Sequence, residues 1–244
     1  MNAIIHDWNS RAVQPEQLKK RCFFITLEGT DGTGKSTQMR LLVKHLRARG
    51  HWVVVTREPG GTKLGEQIRA ILLASQTGRV APLAELALMY AARAQHLEEI
   101  VRPALARGAL VVSDRFNDAS LAYQGHGRGL GEATVHAFDR IVCGKIQPQL
   151  TLLLDLDPRV ARARAQGRET RRNSAHSRFE TQGLKFHQRV RAGYLAIARR
   201  EPRRVKVVSA DRPVAEVHME IRRIVDRFLD SNVRNRRSSS MVKR

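Results

Sequence analysis

The sequence predicts an α/β fold: a five-stranded parallel sheet forming the middle of three layers, with helices on both faces. Three observations carry this expectation. Five short apolar runs alternate along the chain with longer stretches whose apolar residues recur at helical spacing. The runs are apolar nearly throughout, as strands covered on both faces are. Between the first run and the first helical stretch stands Gly29-Thr30-Asp31-Gly32-Thr33-Gly34-Lys35-Ser36. It fits G-x-x-x-x-G-K-[ST], the phosphate-binding P-loop, in the strand–loop–helix setting that motif requires.

The elements follow in order. Residues 1–20 are mixed and polar, with Pro15, and are expected as a poorly ordered extension. Cys22–Leu27 is the first strand, and Gln38–Leu46 lies in the first helix, closed by Gly50. His51–Thr56 is the second strand. The segment Arg57-Glu58-Pro59-Gly60-Gly61-Thr62 then breaks regular structure. Lys63–Ala74 is helical, with Leu64, Ile68, Ile71 and Leu72 on one face, and Ser75–Arg79 is a polar turn. A long helix opens at Pro82 and runs to about Ala106, with a kink or break expected at Pro103. Ala109–Ser113 is the third strand, ending on Asp114-Arg115. Phe116–Gly131 is a long loop or broken helix, Glu132–Cys143 a helix, and Leu150–Asp155 the fourth strand. Asp157-Pro158 starts the next helix. Gly167–Ser177, polar and arginine-rich without periodicity, is expected as a mobile loop. Glu180–Arg200 is helical, Val205–Val208 is the fifth strand, and Pro213 to about Leu229 is the last helix. Asn232–Arg244 reads as a disordered basic tail.

Composition narrows the classes. The two cysteines, Cys22 and Cys143, form neither a disulfide framework nor a metal spacing, so a reducing cytoplasm is expected. No apolar run approaches the ~20 residues of a membrane span, and residues 1–20 lack the apolar core of a signal peptide. The net charge of +21 suits nucleic acid or polyphosphate, but aromatic residues are only 5%, too few for a single-strand stacking platform.

The P-loop chemistry follows from residue types. Glycines let backbone N–H groups curl around phosphate oxygens, and the following helix points its positive end at the same anion. Lys35 reaches the β- and γ-phosphates, and the Ser36 hydroxyl can ligate Mg²⁺. In parallel α/β sheets ligands bind at the carboxyl ends of the strands. That rule gathers the P-loop, the Arg57–Thr62 segment, Asp114-Arg115 and the Asp155–Pro158 turn on one rim. Arg168, Arg171, Arg172 and Arg178 occupy the expected mobile loop, as in a lid that closes over phosphates. Such a lid excludes water and so favours transfer to a second nucleotide over hydrolysis. By pattern alone, Arg93 either pairs with Glu98 or Glu99 along its helix or serves a ligand.

These motifs, in this order, resemble bacterial thymidylate kinases. The match rests on Glu28–Thr37, Thr56-Arg57-Glu58-Pro59-Gly60-Gly61-Thr62, Tyr90-Ala91-Ala92-Arg93, Asp114-Arg115 with Ala122-Tyr123-Gln124-Gly125, and the later Leu184–His187 and Gly193-Tyr194. It spans about Arg21 to Leu229. The resemblance implies a P-loop NTPase fold, with Gly29, Thr30, Asp31, Gly32, Thr33, Gly34, Lys35, Ser36 and Thr37 binding ATP, and Ser36 and Asp114 near its Mg²⁺. It implies that Arg115 holds the dTMP phosphate, that Glu58 and Arg69 belong to the same phosphate site, and that Asp31 contacts the sugar. Arg93 and Gln124 would hydrogen-bond the thymine, with Ser120 beside it, Tyr123 shielding the sugar and Met89 against the base. The P-loop carries an acid and no arginine, which matches the variant that takes its catalytic arginine from the lid. Arg178 is the first candidate and Arg168 the second.

The resemblance also implies a homodimer packed through helices. Three departures stand out: Met89 occupies a position where the family usually has Phe, both terminal extensions lie outside the family pattern, and Glu169–His176 is unusual in length and charge. The expected organisation is an extension over 1–20, a kinase unit over 21–230 with its lid at about 166–180, and a tail over 231–244. The alternatives are another P-loop kinase of a small nucleotide acceptor, or a P-loop ATPase associated with nucleic acid.

Overall fold

The computed structural model describes residues 22–74, 78–172 and 178–241. The expected N-terminal extension therefore lies outside the described residues, as do the centre of the Ser75–Arg79 turn, residues 173–177 and the last three residues. The strands are β1 (Phe23–Glu28), β2 (Val53–Arg57), β3 (Leu110–Asp114), β4 (Leu150–Asp155) and β5 (Val205–Ser209). They form one sheet in the order β2-β3-β1-β4-β5, parallel throughout. Every residue of the central β1 is buried.

Strand side chains alternate faces, so each strand serves two cores. Phe24, Val111 and Leu153 point into one core, with Phe116, Tyr123, Phe186 and Tyr194. Phe23, Ile25, Leu27, Val112, Leu152 and Leu154 point into the other. The second core is closed by helices α1 (Lys35–Ala48) and α9 (Val214–Met241), through Leu42 and Leu46 on one and Ile221 and Val225 on the other. Helices α2 (Lys63–Leu73) and α3 (Pro82–His96) pack together on the Ile68, Leu72 and Ala92 cluster. Helix α8 (Leu184–Arg200) covers the first core through Phe186, Val190, Tyr194 and Ile197.

The long helix from Pro82 breaks as expected, through a π-helical stretch at Leu97–Val101 that leads into α4 (Arg102–Ala106). Pro103 offers no N–H to the carbonyl of Glu99, and the helix widens one turn ahead of it. Phe116–Gly131 is a broken helix: α5 (Asn117–Ser120) followed by a π-helical Leu121–Gly127. Helix α6 (Glu132–Val142) comes next.

Two expectations are corrected. The arginine-rich segment expected as loop from Gly167 onward is helical as far as Arg172, at the end of α7 (Pro158–Arg172). Straight-chain Arg, Glu and Gln lose little freedom in a helix, so one glycine does not end it. The last helix, expected to stop near Leu229 before a disordered tail, continues to Met241. Asn and Ser are weaker helix formers than Arg but do not break a helix.

Candidate active site

Three parts of the rim predicted from topology, the P-loop, the start of the Arg57–Thr62 segment and Asp114-Arg115, line one cavity of about 410 Å³; the Asp155–Pro158 turn does not. The P-loop forms one end. Gly29, Gly32 and Gly34 hold positive φ angles of 132°, 87° and 88°. A Cβ on Gly32 would stand 2.0 Å from the Ala161 carbonyl oxygen of α7, so only glycine lets that helix rest on the loop. Thr33 Oγ1 donates to the Thr30 carbonyl at 2.8 Å, and Gly34 is the N-cap of α1. Thr37 N donates to the Gly34 carbonyl at 3.1 Å, and its residue is not on the cavity wall. Lys35 Nζ donates to the Gly29 and Thr30 carbonyls, both at 2.9 Å. Burial, then the neighbouring Arg115, lowers the Lys35 pKa. Its head therefore gains from an incoming anion.

Arg115 is the hub. Its φ of 72° is a left-handed backbone conformation that non-glycine residues rarely adopt. Its N–H donates to the Leu27 carbonyl at 3.0 Å, and Ser113 Oγ donates to its carbonyl at 2.7 Å. The strained backbone is held from both sides, as expected where strain is used to aim a side chain. Nη2 donates to Asp31 Oδ1 at 2.9 Å and to Tyr123 Oη at 3.3 Å, and Nη1 donates to Tyr194 Oη at 3.1 Å. Tyr194 Oη in turn donates to Glu28 Oε2 at 2.7 Å, and Phe116 N donates to Glu28 Oε1 at 2.7 Å. Burial, reinforced by Asp118, pushes the Glu28 carboxyl up to about 8.

The other end of the cavity is lined by Met89, Arg93, Ser120, Tyr123 and Gln124, with Arg69 along the wall between. Arg69 Nη1 donates to the Pro59 carbonyl at 2.9 Å. Arg93 pairs with neither Glu98 nor Glu99. Its Nε donates to Glu58 Oε2 at 2.7 Å, and its Nη2 to the Phe116 carbonyl and Ser120 Oγ, both at 3.0 Å. Its guanidinium lies 4.4 Å from the Tyr90 ring centroid. Nη1 remains buried with no hydrogen-bond partner among the described residues. The other Glu58 oxygen bonds His96 Nδ1 at 2.7 Å, and His96 Nε2 meets Thr56 Oγ1 at 2.6 Å. Burial opposes the charged form of Glu58, but Arg93 and His96 outweigh it and hold the carboxyl below the usual range. One Glu58 oxygen thus holds Arg93 and the other holds His96. Glu58 itself lines the cavity, with its carboxylate paired to Arg93 and His96.

The lid expectation is also corrected. Arg178 is buried and absent from the cavity wall. Its Nε donates to the Leu72 carbonyl at 3.1 Å, and its Nη2 lies 2.8 Å from the fully buried Glu85 Oε2. A buried carboxylate outbids open solvent for a nearby guanidinium, so Arg178, within the expected lid span, is held to α2 and α3 rather than reaching the P-loop. Arg168 stands on α7, whose first turns abut Gly32.

The residues expected near Mg²⁺ fit such an ion. Ser36 and Asp114 line the same cavity as Lys35, and Asp114 Oδ1 is buried with no hydrogen-bond partner among the described residues. A hard cation takes oxygen donors of this kind. Among the described residues no cluster of three or more His, Cys, Asp or Glu could hold a metal by itself.

The geometry joins a phosphate cradle to a polar-walled pocket, and the comparisons decide between kinases. The thymidylate kinase family profile matches residues 27–221. The chain belongs to the thymidylate kinase family. Thymidylate kinase of Geobacter sp. (strain M21) is 46% identical over 210 residues, covering 86% of this chain and 93% of the relative. Thymidylate kinase of Caulobacter vibrioides is 48% identical over 203 residues, covering 83% and 95%. A crystal structure of thymidylate kinase from Ehrlichia chaffeensis superposes with a TM-score of 0.67 at 31% identity, covering 84% of this chain and 98% of that one. Against this thymidylate kinase background, three site groups escaped the sequence reading: Glu85, His96 as a partner of Glu58, and Phe116. Each acts through a contact more than 20 residues away in sequence, which no local pattern displays.

Proposed function

We propose that the chain transfers the γ-phosphoryl group of ATP to dTMP, giving ADP and dTDP, a step in dTTP supply. The observation that carries this reading is the single cavity, with Lys35 and Ser36 at one end and Met89, Arg93 and Gln124 at the other, and Arg115 between. The P-loop amides and Lys35 would hold the donor phosphates. Arg115, steadied by Asp31, would hold the acceptor phosphate, with Arg69 beside it. An oxygen of the dTMP phosphate attacks the γ-phosphorus, the bond to the β,γ-bridging oxygen breaks, and ADP leaves. The acceptor is already an anion, so no general base is needed, and catalysis is positioning and charge stabilisation. Mg²⁺ bound with ATP would neutralise phosphate charge, held by Ser36 and Asp114. Arg168 is the remaining lid candidate for the transition-state charge.

Arg93 and Gln124 would read the pyrimidine, Met89 would pack against it, and Tyr123 would exclude the 2′-hydroxyl of ribonucleotides. Tyr123 packs its ring in the first core and turns its hydroxyl to Arg115. Exposed Leu64, Ile71 and Leu83 on α2 and α3 support a homodimer packed through these helices. The free Cys22 and Cys143 support a cytoplasmic setting. No helix among the described residues is long and apolar enough to cross a membrane.

The test is kcat/KM for a panel of nucleoside monophosphates at fixed Mg·ATP, read as ADP release. The expected order is dTMP first, dUMP slower by about 10–200-fold for one methyl, and UMP and purine monophosphates near background. Faster turnover of UMP, CMP or GMP than of dTMP refutes the acceptor assignment. ADP release on single-stranded DNA without any monophosphate would favour the ATPase alternative instead.

A further inference from the structure

Glu85 stands in the first turn of α3, and its side chain is fully buried. Its carboxylate is ringed by three side chains from two separate segments, Leu121–Arg128 and the stretch at Arg178. Gln124 Nε2 donates to Oε1 at 2.8 Å. Arg128 Nε lies 3.2 Å from each oxygen, and Arg178 Nη2 lies 2.8 Å from Oε2. A carboxylate facing two guanidiniums only accepts hydrogen bonds, so the Gln124 amide can address it with its NH₂ end alone. The opposite end, the carbonyl oxygen, is what Gln124 then offers to the cavity it lines.

The partner on that wall is Arg93, whose buried Nη1 has no hydrogen-bond partner among the described residues and can only donate. The wall therefore presents one acceptor and one donor. A pyrimidine with an N3–H beside a C4 carbonyl matches both. A cytosine presents an N3 lone pair beside a C4 amino group and meets Gln124 acceptor to acceptor and Arg93 donor to donor. Were Gln124 free to rotate its amide, it could serve either ring.

We propose that Glu85 is a specificity-positioning residue: by taking the NH₂ end of Gln124, it makes the pocket select a base with N3–H and a C4 carbonyl and reject cytosine. The inference rests on the dTMP reading above. Glu85 touches no substrate and acts through Gln124.

The test measures kcat and KM for dTMP and dCMP at saturating Mg·ATP. In Glu85→Gln the residue at 85 can donate or accept, and Gln124 is released. The ratio of kcat/KM for dTMP over dCMP is expected to fall about tenfold or more, with the dTMP loss mainly in KM and a gain for dCMP. Glu85→Asp, still an acceptor only, is expected to keep the ratio within about threefold of wild type. Because Glu85→Gln leaves two buried guanidiniums facing each other, Glu85→Gln/Arg178→Met, which restores the charge balance, is measured beside it with the same expectation.

The unaltered protein supplies a third readout. The Gln124 side-chain NH₂ protons are expected to exchange slowly with solvent in the absence of nucleotide, and free exchange overturns the inference. So does a ratio unchanged within about twofold in either folded variant, or an equal loss for both acceptors, which a purely structural role would give. If the wild type itself does not prefer dTMP, the acceptor reading fails first. If the wild type prefers dTMP and the variants keep that preference, only the role of Glu85 fails.

Discussion

Arg115 Nη2 donates to Asp31 Oδ1 at 2.9 Å, tying the end of β3 to the P-loop. The same guanidinium also reaches Tyr123 and Tyr194, so its direction is set before any phosphate arrives. A planar fork can satisfy these partners and still address an anion, whereas an ammonium cannot. Arg115→Lys is expected to lower kcat/KM for dTMP about a hundredfold or more with little change in fold, measured by steady-state kinetics alongside circular dichroism. Wild-type kinetics in a folded variant would remove Arg115 from the phosphate site.

Lys35 holds the carbonyls of its own loop until a nucleotide takes their place. Among the described residues no other side-chain cation bonds the same two carbonyls. Lys35→Ala is expected to lower kcat by at least about 10²–10³, with native circular dichroism. Unchanged kcat would contradict phosphoryl transfer at this loop.

Arg178 and Arg168 separate stability from chemistry. Losing the Arg178 contacts to Glu85 and Leu72 leaves Arg128 to neutralise the carboxylate. Arg178→Ala is therefore expected to cost about 2–3 kcal/mol, somewhat below the ~3–5 kcal/mol of a buried charge left alone. That corresponds to a Tm lowered by about 5–10 °C in a thermal melt. Arg168→Ala is expected instead to leave Tm unchanged and lower kcat about 10²-fold or more, with KM for ATP little altered. The reverse assignment of effects would return Arg178 to the chemistry.

Glu28 makes stability depend on pH. Its carboxyl is raised from 4.5 to about 8 by burial and then by Asp118, against the opposing pull of Arg115, Tyr194 and the Phe116 N–H. Between those two values the folded chain holds a proton that the unfolded chain has released. The contribution is full below about 4.5, declines as pH rises through the window, and is gone above about 8. Glu28→Gln is expected to flatten the fall in denaturation midpoint between pH 5 and pH 8, read by urea titration at each pH. An identical pH slope in variant and wild type would show that Glu28 is not the responsible group.

By itself the sequence determined the sheet, the order of elements and the phosphate cradle. These are local matters: a period of two or of 3.6, a proline that removes an N–H, and glycines spaced so that backbone amides can face an anion. It also brought Lys35, Asp31, Asp114 and Arg115 onto one rim, because strand ends in a parallel sheet share a side; Arg93 and Gln124, on helical segments, were placed at the site by the family resemblance. Local pattern could not say which partner each charge would choose.

Arg93 had Glu98 and Glu99 as candidates on its own helical stretch and pairs instead with Glu58. Arg178 was expected to act from the lid and pairs with Glu85. Tertiary structure alone decided those pairings. A buried charge takes the partner that burial leaves it, because desolvation penalises any charge left alone, while pairs at the surface differ from hydrated charges by only about a kcal/mol. Helix α7 extended past Gly167, and α9 past Asn232, for the opposite reason. Arginine-rich segments with no apolar period give no sequence signal for a helix, yet their intrinsic preference still permits one.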